Sequence, residues 1–134
     1  MKIQQVPLEW VNHTWPLVKH FIEDALEHAK GDYTVDHVQS LVSSGQWVLL
    51  VAVDDEKIHG AATMHCFNRP TDRVAFVTTT SGKFILDQDT FAQLQNISRT
   101  FGATALECAA RESMTRLLTR FGFEEKYRIV GVKL

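Results

Sequence analysis

Cysteine is scarce: Cys66 and Cys108 are the only two in 134 residues, both lie inside apolar runs, and no Cys-x-x-Cys spacing occurs. A small scaffold stapled by disulfides is therefore excluded, and two buried free thiols are expected. No charge dominates either. Fourteen Lys and Arg face sixteen Asp and Glu for a formal net charge of −2, which gives no global electrostatic case for binding nucleic acid. No apolar run approaches the length of a membrane span, and the opening "MKIQQVPLEW" lacks the apolar stretch of a signal peptide, so a cytoplasmic protein is expected. What is present is an ordinary globular composition, 45% hydrophobic and 22% charged. Its length suits one domain, residues 1–134, able to bury a core without metals or disulfides.

Along the chain, "KIQQV" alternates as a short strand does, and "WPLVKHFIEDALEHAKG" sets Trp15, Val18, Ile22, Ala25 and Ala29 at helical spacing, with Pro16 in the first turn and Gly31 as the stop. "TVDHVQSLVSSG" predicts a second helix capped by Thr34, with Val38, Leu41 and Val42 inward and Gly45 at its end. "QWVLLVAVDDEKIHGAATMHCF" reads as a hairpin around the polar turn Asp54 to Lys57, and "RVAFVTTT" as a third strand of the same sheet. From Phe84 the apolar period becomes helical through Phe91, Leu94, Ile97 and Phe101 to Gly102. "ATALECAA" is then a short strand, "SMTRLLTRFG" a helix with Met114, Leu117, Leu118 and Phe121 inward, and "KYRIVGVKL" a last strand. The expected fold class is α/β (α+β): a mixed, mostly antiparallel sheet of about six strands flanked by about four helices, in the order β-α-α-β-β-β-α-β-α-β.

Two stretches carry a resemblance. "SGKFIL", residues 81–86, stands between a strand and a helix where the GNAT superfamily of N-acetyltransferases has its acetyl-CoA loop, Arg/Gln-x-x-Gly-x-Gly/Ala. "LLTRFGF" ends a late helix in Gly122-Phe123, as that family commonly does. Together with the order of elements, over nearly the whole chain, they make the sequence resemble a degenerate GNAT protein. The resemblance implies acetyl-CoA as cofactor: main chain at Val77, Thr78, Thr79 and Thr80 aligning the pantetheine arm, and the turn Ser81, Gly82, Lys83 holding the pyrophosphate. Such a loop works because main-chain N–H groups at a helix amino end face the phosphates and small residues let them approach. Here Phe84 and Leu86 replace the small residues, and Leu118 stands where many members have a Tyr that protonates the departing thiolate.

The partners this implies are a CoA thioester and an unknown amine that attacks it directly. Glu107, in an otherwise apolar strand, and Tyr127 are the candidate catalytic groups, the first as general base. A carboxylate on a solvated sheet face and a Tyr packed at a sheet edge would look the same. His65 and Cys66 are adjacent in a strand and point apart, so they form no nucleophilic pair. His20 and Asp24 have a metal-compatible i, i+4 spacing on a helix that a solvated polar face explains as well, and "DQDT" is too short for a calcium loop. Arg111, Arg116, Arg120, Lys126, Arg128 and Lys133 gather a basic carboxy-terminal quarter without the aromatic interleaving of a nucleic-acid surface. Two other readings stand beside the enzyme. One is a CoA-binding sensor. The other is a catalytically inactive scaffold with a protein partner, like the short GNAT-like proteins of some tailed phages, several of them encoded near virion assembly genes. Sheet edges near the carboxy terminus are expected homodimer contacts.

Overall fold

The computed structural model describes residues 1–28 and 31–134. Five strands form one sheet in the order β1-β2-β3-β4-β5: β1 (Lys2–Gln5), β2 (Val48–Asp54), β3 (Lys57–Asn68), β4 (Arg73–Gly82) and β5 (Ala105–Cys108). All neighbours are antiparallel except β4 and β5, which are parallel. The β2–β3 turn is as tight as expected. Asp55 and Glu56 both take positive φ, 49° and 63°, the geometry that matches the twist of a two-residue hairpin.

Helices cover both faces. On one side α1 (Val11–Leu26) and α2 (Val35–Ser43) pack Trp15, Val18, Ile22, Val38 and Val42 onto Trp47, Leu49, Val51 and Ala61. On the other, α3 (Gln88–Thr100) brings Leu94 against Leu50, Ala52, Ala62, Met64, Ala75 and Val77. Gln93 of α3 also ties down the edge strand, accepting from the Ile3 N–H at 2.8 Å and donating to the Met1 carbonyl at 3.0 Å. The last helix, α4 (Glu112–Thr119), buries Leu118, and just beyond it Phe121 and Phe123 stack on Phe91 of α3.

Thr34 caps α2 as expected, in a reciprocal pair with His37. Three expectations are corrected. The first helix begins at Val11, after a 3-10 turn at Leu8–Trp10, so Pro16 lies in its second turn rather than its first; Ala29, expected inward, is outside the described residues. The helix expected from Phe84 starts at Gln88, because Asp87 and Thr90 make a capping box that fixes its start four residues later. The strand expected at 126–134 is absent: the segment after Gly122 joins no ladder, so the sheet has five strands and β5 is an edge rather than a central strand. No helix among the described residues is long and apolar enough to cross a membrane.

Candidate functional site

The residues expected to face a cofactor are the last six of β4 and the one that follows. Thr79 pairs with Thr63 and Val77 with Met64, so Thr78 is an extra residue, a bulge in β4. Three hydroxyls pin it. Thr63 Oγ1, buried, lies 2.7 Å from both Thr78 Oγ1 and Thr79 Oγ1. Beyond the bulge the ladder with β3 resumes, and the Lys83 N–H donates to the His59 carbonyl at 2.9 Å. Antiparallel ladders alternate, so Ser81 and Thr79 also face β3, while the main-chain groups of Thr80 and Gly82 face the other way.

Among the described residues nothing pairs with them on that other side. The β4–β5 ladder runs only from Val74 opposite Ala105 to Val77 opposite Cys108, where β5 ends. Val77, Thr78, Thr79, Thr80, Ser81, Gly82 and Lys83 are thus brought to one open strand edge, with Val77 and Thr79 buried and Gly82 and Lys83 exposed.

The turn beyond is built differently from a phosphate cradle. Gly82 has φ +74°, and a Cβ there would come within 2.5 Å of the His59 carbonyl oxygen and 2.7 Å of a Phe21 ring carbon. Its missing side chain is used to pack β4 against β3 and α1. Phe84 is 2% exposed and fills the core under α3, whereas Leu86 is exposed. The amino end of α3 is already occupied by an anion: Asp87 Oδ1 accepts from the Thr90 N–H at 2.9 Å, and the Leu86 and Asp87 N–H groups donate to Thr90 Oγ1. That bond from Thr90 holds the Asp87 carboxyl below its usual range. The residues therefore fit the two halves of CoA unequally. An extended amide-bearing arm fits the open edge of β4; a pyrophosphate would meet a carboxylate on α3, with Lys83 as the cation of the turn itself.

Glu107 stands on β5 opposite Phe76, with its carboxylate between two cations. Arg69 Nη1 and Lys126 Nζ, the latter at 2.9 Å, both donate to Oε2. The Arg69 bond is the main reason its carboxyl lies below the usual range, against the opposing effect of burial. So held, it is a weak base. Tyr127 follows Lys126 on the extended segment and is 63% exposed, not packed at a sheet edge. Leu118 is buried.

The structure also adds residues that the sequence reading passed over. A row of rings crosses the sheet beside Glu107. Trp47 lies 6.4 Å from His65, His65 5.3 Å from Phe67, and Phe67 6.4 Å from Phe76, while the Arg69 guanidinium sits 5.2 Å over Phe67. Alternation in "MHCFN" puts His65 and Phe67 on one face, which is the signal that would have found half of it. Arg69 comes from the "NRPTD" loop and carried no such signal. Half of the basic carboxy-terminal cluster is paired, Arg116, Lys126 and Arg128 with Glu112, Glu107 and Glu125. Cys66 and Cys108 are free and only half-buried.

No protein-family model matches the sequence, and no curated protein matches it. Solved structures do. An aminoglycoside acetyltransferase from an uncultured soil metagenomic sample, in complex with trehalose, is similar at a TM-score of 0.69 and 14% identity over 99% of this chain and 95% of that one. The ribosomal-protein-alanine N-acetyltransferase of Brucella melitensis biovar Abortus 2308 is similar at 0.68 and 14%, over all of both chains. A "predicted acetyltransferase" of Clostridium acetobutylicum, with acetyl-CoA, is similar at 0.66 and 9%, over 98% of this chain and 95% of that one. At these identities the likeness is one of fold alone: the chain has the GNAT fold.

Proposed function

We propose that the protein transfers an acyl group, acetyl in the first instance, from a CoA thioester to an amine by direct attack. The observation that carries this reading is the open edge of β4 past Val77, where main-chain groups of Thr80 and Gly82 face away from β3 and no strand among the described residues pairs with them. An extended chain of amides adds to such an edge as a further strand would. CoA supplies the activated thioester when bound. The chain's own part is to align it: Val77 to Thr80 seat the arm, Ser81 and Gly82 end the edge, and Lys83 offers the phosphates a cation. The rings of Trp47, His65, Phe67 and Phe76 form an acceptor floor beside it. Both cations take Oε2 of Glu107, leaving Oε1 to orient an amine or accept its proton, with Tyr127 at the rim. Proximity then supplies most of the acceleration. A cytoplasmic setting goes with this reading.

A second reading rests on Asp87 and Phe84. With a carboxylate on the amino end of α3 and a ring in the core beneath it, the scaffold serves a macromolecular partner, in virion assembly for example, without turnover. Calorimetric titration separates them. One-to-one binding of acetyl-CoA and of S-acetylpantetheine by the native chain, followed by acyl transfer to an amine panel, is the result expected of the enzyme. Binding without transfer would leave a sensor. No binding of either thioester, in the native chain and in Asp87→Asn alike, would overturn the transferase reading in favour of the scaffold.

A further inference from the structure

The ion pairs beside the row of rings leave bonding capacity of both signs unused. Two cations, Arg69 and Lys126, meet one carboxylate, Glu107, and both donate to its Oε2. Among the described residues no group donates to Oε1. Arg69 is the converse case. Its Nη1 donates to Glu107, while nothing among the described residues accepts from Nε or Nη2. Those two nitrogens form one side of the planar guanidinium fork, the side that matches a carboxylate. Asp72, the other carboxylate near Arg69, turns instead to the Thr104 hydroxyl at 3.0 Å, so the set in contact holds two positive charges against one negative.

A free acceptor oxygen thus stands beside a free pair of donors. A zwitterion completes both by lying head to tail along the Arg69–Glu107 pair, its ammonium on Oε1 and its carboxylate on the fork. A simple amine completes only the first, and so does the amino terminus of a peptide, whose α-carboxylate is already an amide.

The rings decide what else such a zwitterion carries. His65 of β3 stands opposite Phe76 of β4, and Phe76 opposite Glu107 of β5, so the three form one line across the same face of the sheet. All three are half-buried. A flat apolar side chain leaving the Arg69–Glu107 pair runs directly onto two rings. At the far end Tyr33, in the loop before α2, stands edge-on to Trp47 at 5.0 Å and bounds the row.

We infer that this site binds a free aromatic α-amino acid, as the acceptor of the proposed transfer, with its amine on Glu107 Oε1, its carboxylate on Arg69 and its ring over Phe76 and His65. The acceptor role rests on the acyl-transfer reading; the binding geometry does not. The ammonium first releases one proton to solvent, because a carboxylate that Arg69 holds below its usual range is a weak base. The neutral nitrogen then forms the amide bond as the C–S bond of the thioester breaks, and its second proton leaves on the CoA thiol. The product has lost its positive charge and with it the charged bond to Oε1.

Calorimetric titration of the full chain compares L-phenylalanine with three relatives that each lack one part: phenethylamine, 3-phenylpropionate and L-alanine. L-Phenylalanine is expected to bind at least about tenfold more tightly than each, since each comparison removes a charge-assisted bond or the ring. Arg69→Gln is expected to erase the preference over phenethylamine and to keep that over L-alanine. Binding of L-phenylalanine no tighter than that of phenethylamine overturns the inference, whichever amine is acetylated. So does an Arg69→Gln protein with native circular dichroism that keeps the preference. Transfer is read separately, as release of CoA thiol from acetyl-CoA with each amine. The expected binding order with no thiol released by any amine overturns the transferase reading and keeps the amino-acid site as that of a sensor. Thiol release with phenethylamine and not with L-phenylalanine keeps the transferase and overturns the inference. The binding order of the native chain decides even if the variant fails to fold.

Discussion

The Asp87 carboxylate and the Thr90 N–H, 2.9 Å apart, close the amino end of α3 at the place where the resemblance puts a bound pyrophosphate. The chain thus supplies its own anion to a helix end that favours one.

Because that bond lowers the Asp87 pKa, its stabilisation is fully present above the ordinary carboxylate value and is lost as the pH falls through the lower, folded one. Asp87→Asn keeps an acceptor oxygen but no charge. It is expected to melt lower at neutral pH and to lose less stability on acidification below about pH 4. Thermal melting of both proteins between neutral and strongly acid pH checks this, and equal slopes would sink it.

Gly82 is the one loop glycine kept from the family pattern, and the contacts around its α-carbon say that it serves packing. Gly82→Ala would set a methyl against the His59 carbonyl and Phe21 at a positive φ. A loss of about 1–3 kcal/mol from overpacking is expected, with the left-handed backbone adding to it. Denaturant unfolding reads this directly. A neutral outcome would mean that β3 and β4 are less closely apposed than they stand here.

Glu107 is held ionised by Arg69 first and Lys126 second, so its contribution is present above the usual carboxylate pKa and fades as the pH drops through its lowered value. Glu107→Gln is expected to lower the melting temperature at pH 7 and to flatten its acid dependence. If amine acetylation is detected, the same variant separates two roles. A fall in kcat with the melting profile unmoved marks a base, and a moved profile with kcat intact marks a fastener of the Arg69 loop.

The two thiols are half-buried, and burial pushes both pKa values up; Arg73 partly offsets this at Cys66, while Glu107 adds to it at Cys108. Slow alkylation at neutral pH is expected, rising well above the ordinary thiol range. Iodoacetamide labelling followed by mass across pH tests it. Rapid labelling of Cys108 at pH 7 would show a thiolate that this environment does not favour.

Much of the architecture was legible because it is written locally. Thr34 just ahead of its helix, a charged turn between β-branched runs, and the spacing of Val18 with Ile22 each act over a few residues, and each formed as read. The start of α3 was also local, in Asp87 and Thr90, but the apolar period hid it: Phe84 keeps helical spacing with Phe91 while entering the core from a loop. Period alone does not distinguish a side chain that reaches the core from a helix and one that reaches it from the turn before.

The sequence by itself determined most of the elements, their order and the short turns between neighbours, since propensity, capping and amphipathic period are properties of contiguous residues. Only the tertiary structure decided that Arg69 and Lys126, on opposite sides of Glu107 in the chain, meet on its carboxylate. It also decided that Gly82 is spent on β3 and α1, and that residues 126–134, though patterned as a strand, form none in a single chain. A strand exists only where another edge accepts its hydrogen bonds, and which edge lies within reach is settled by the folded whole.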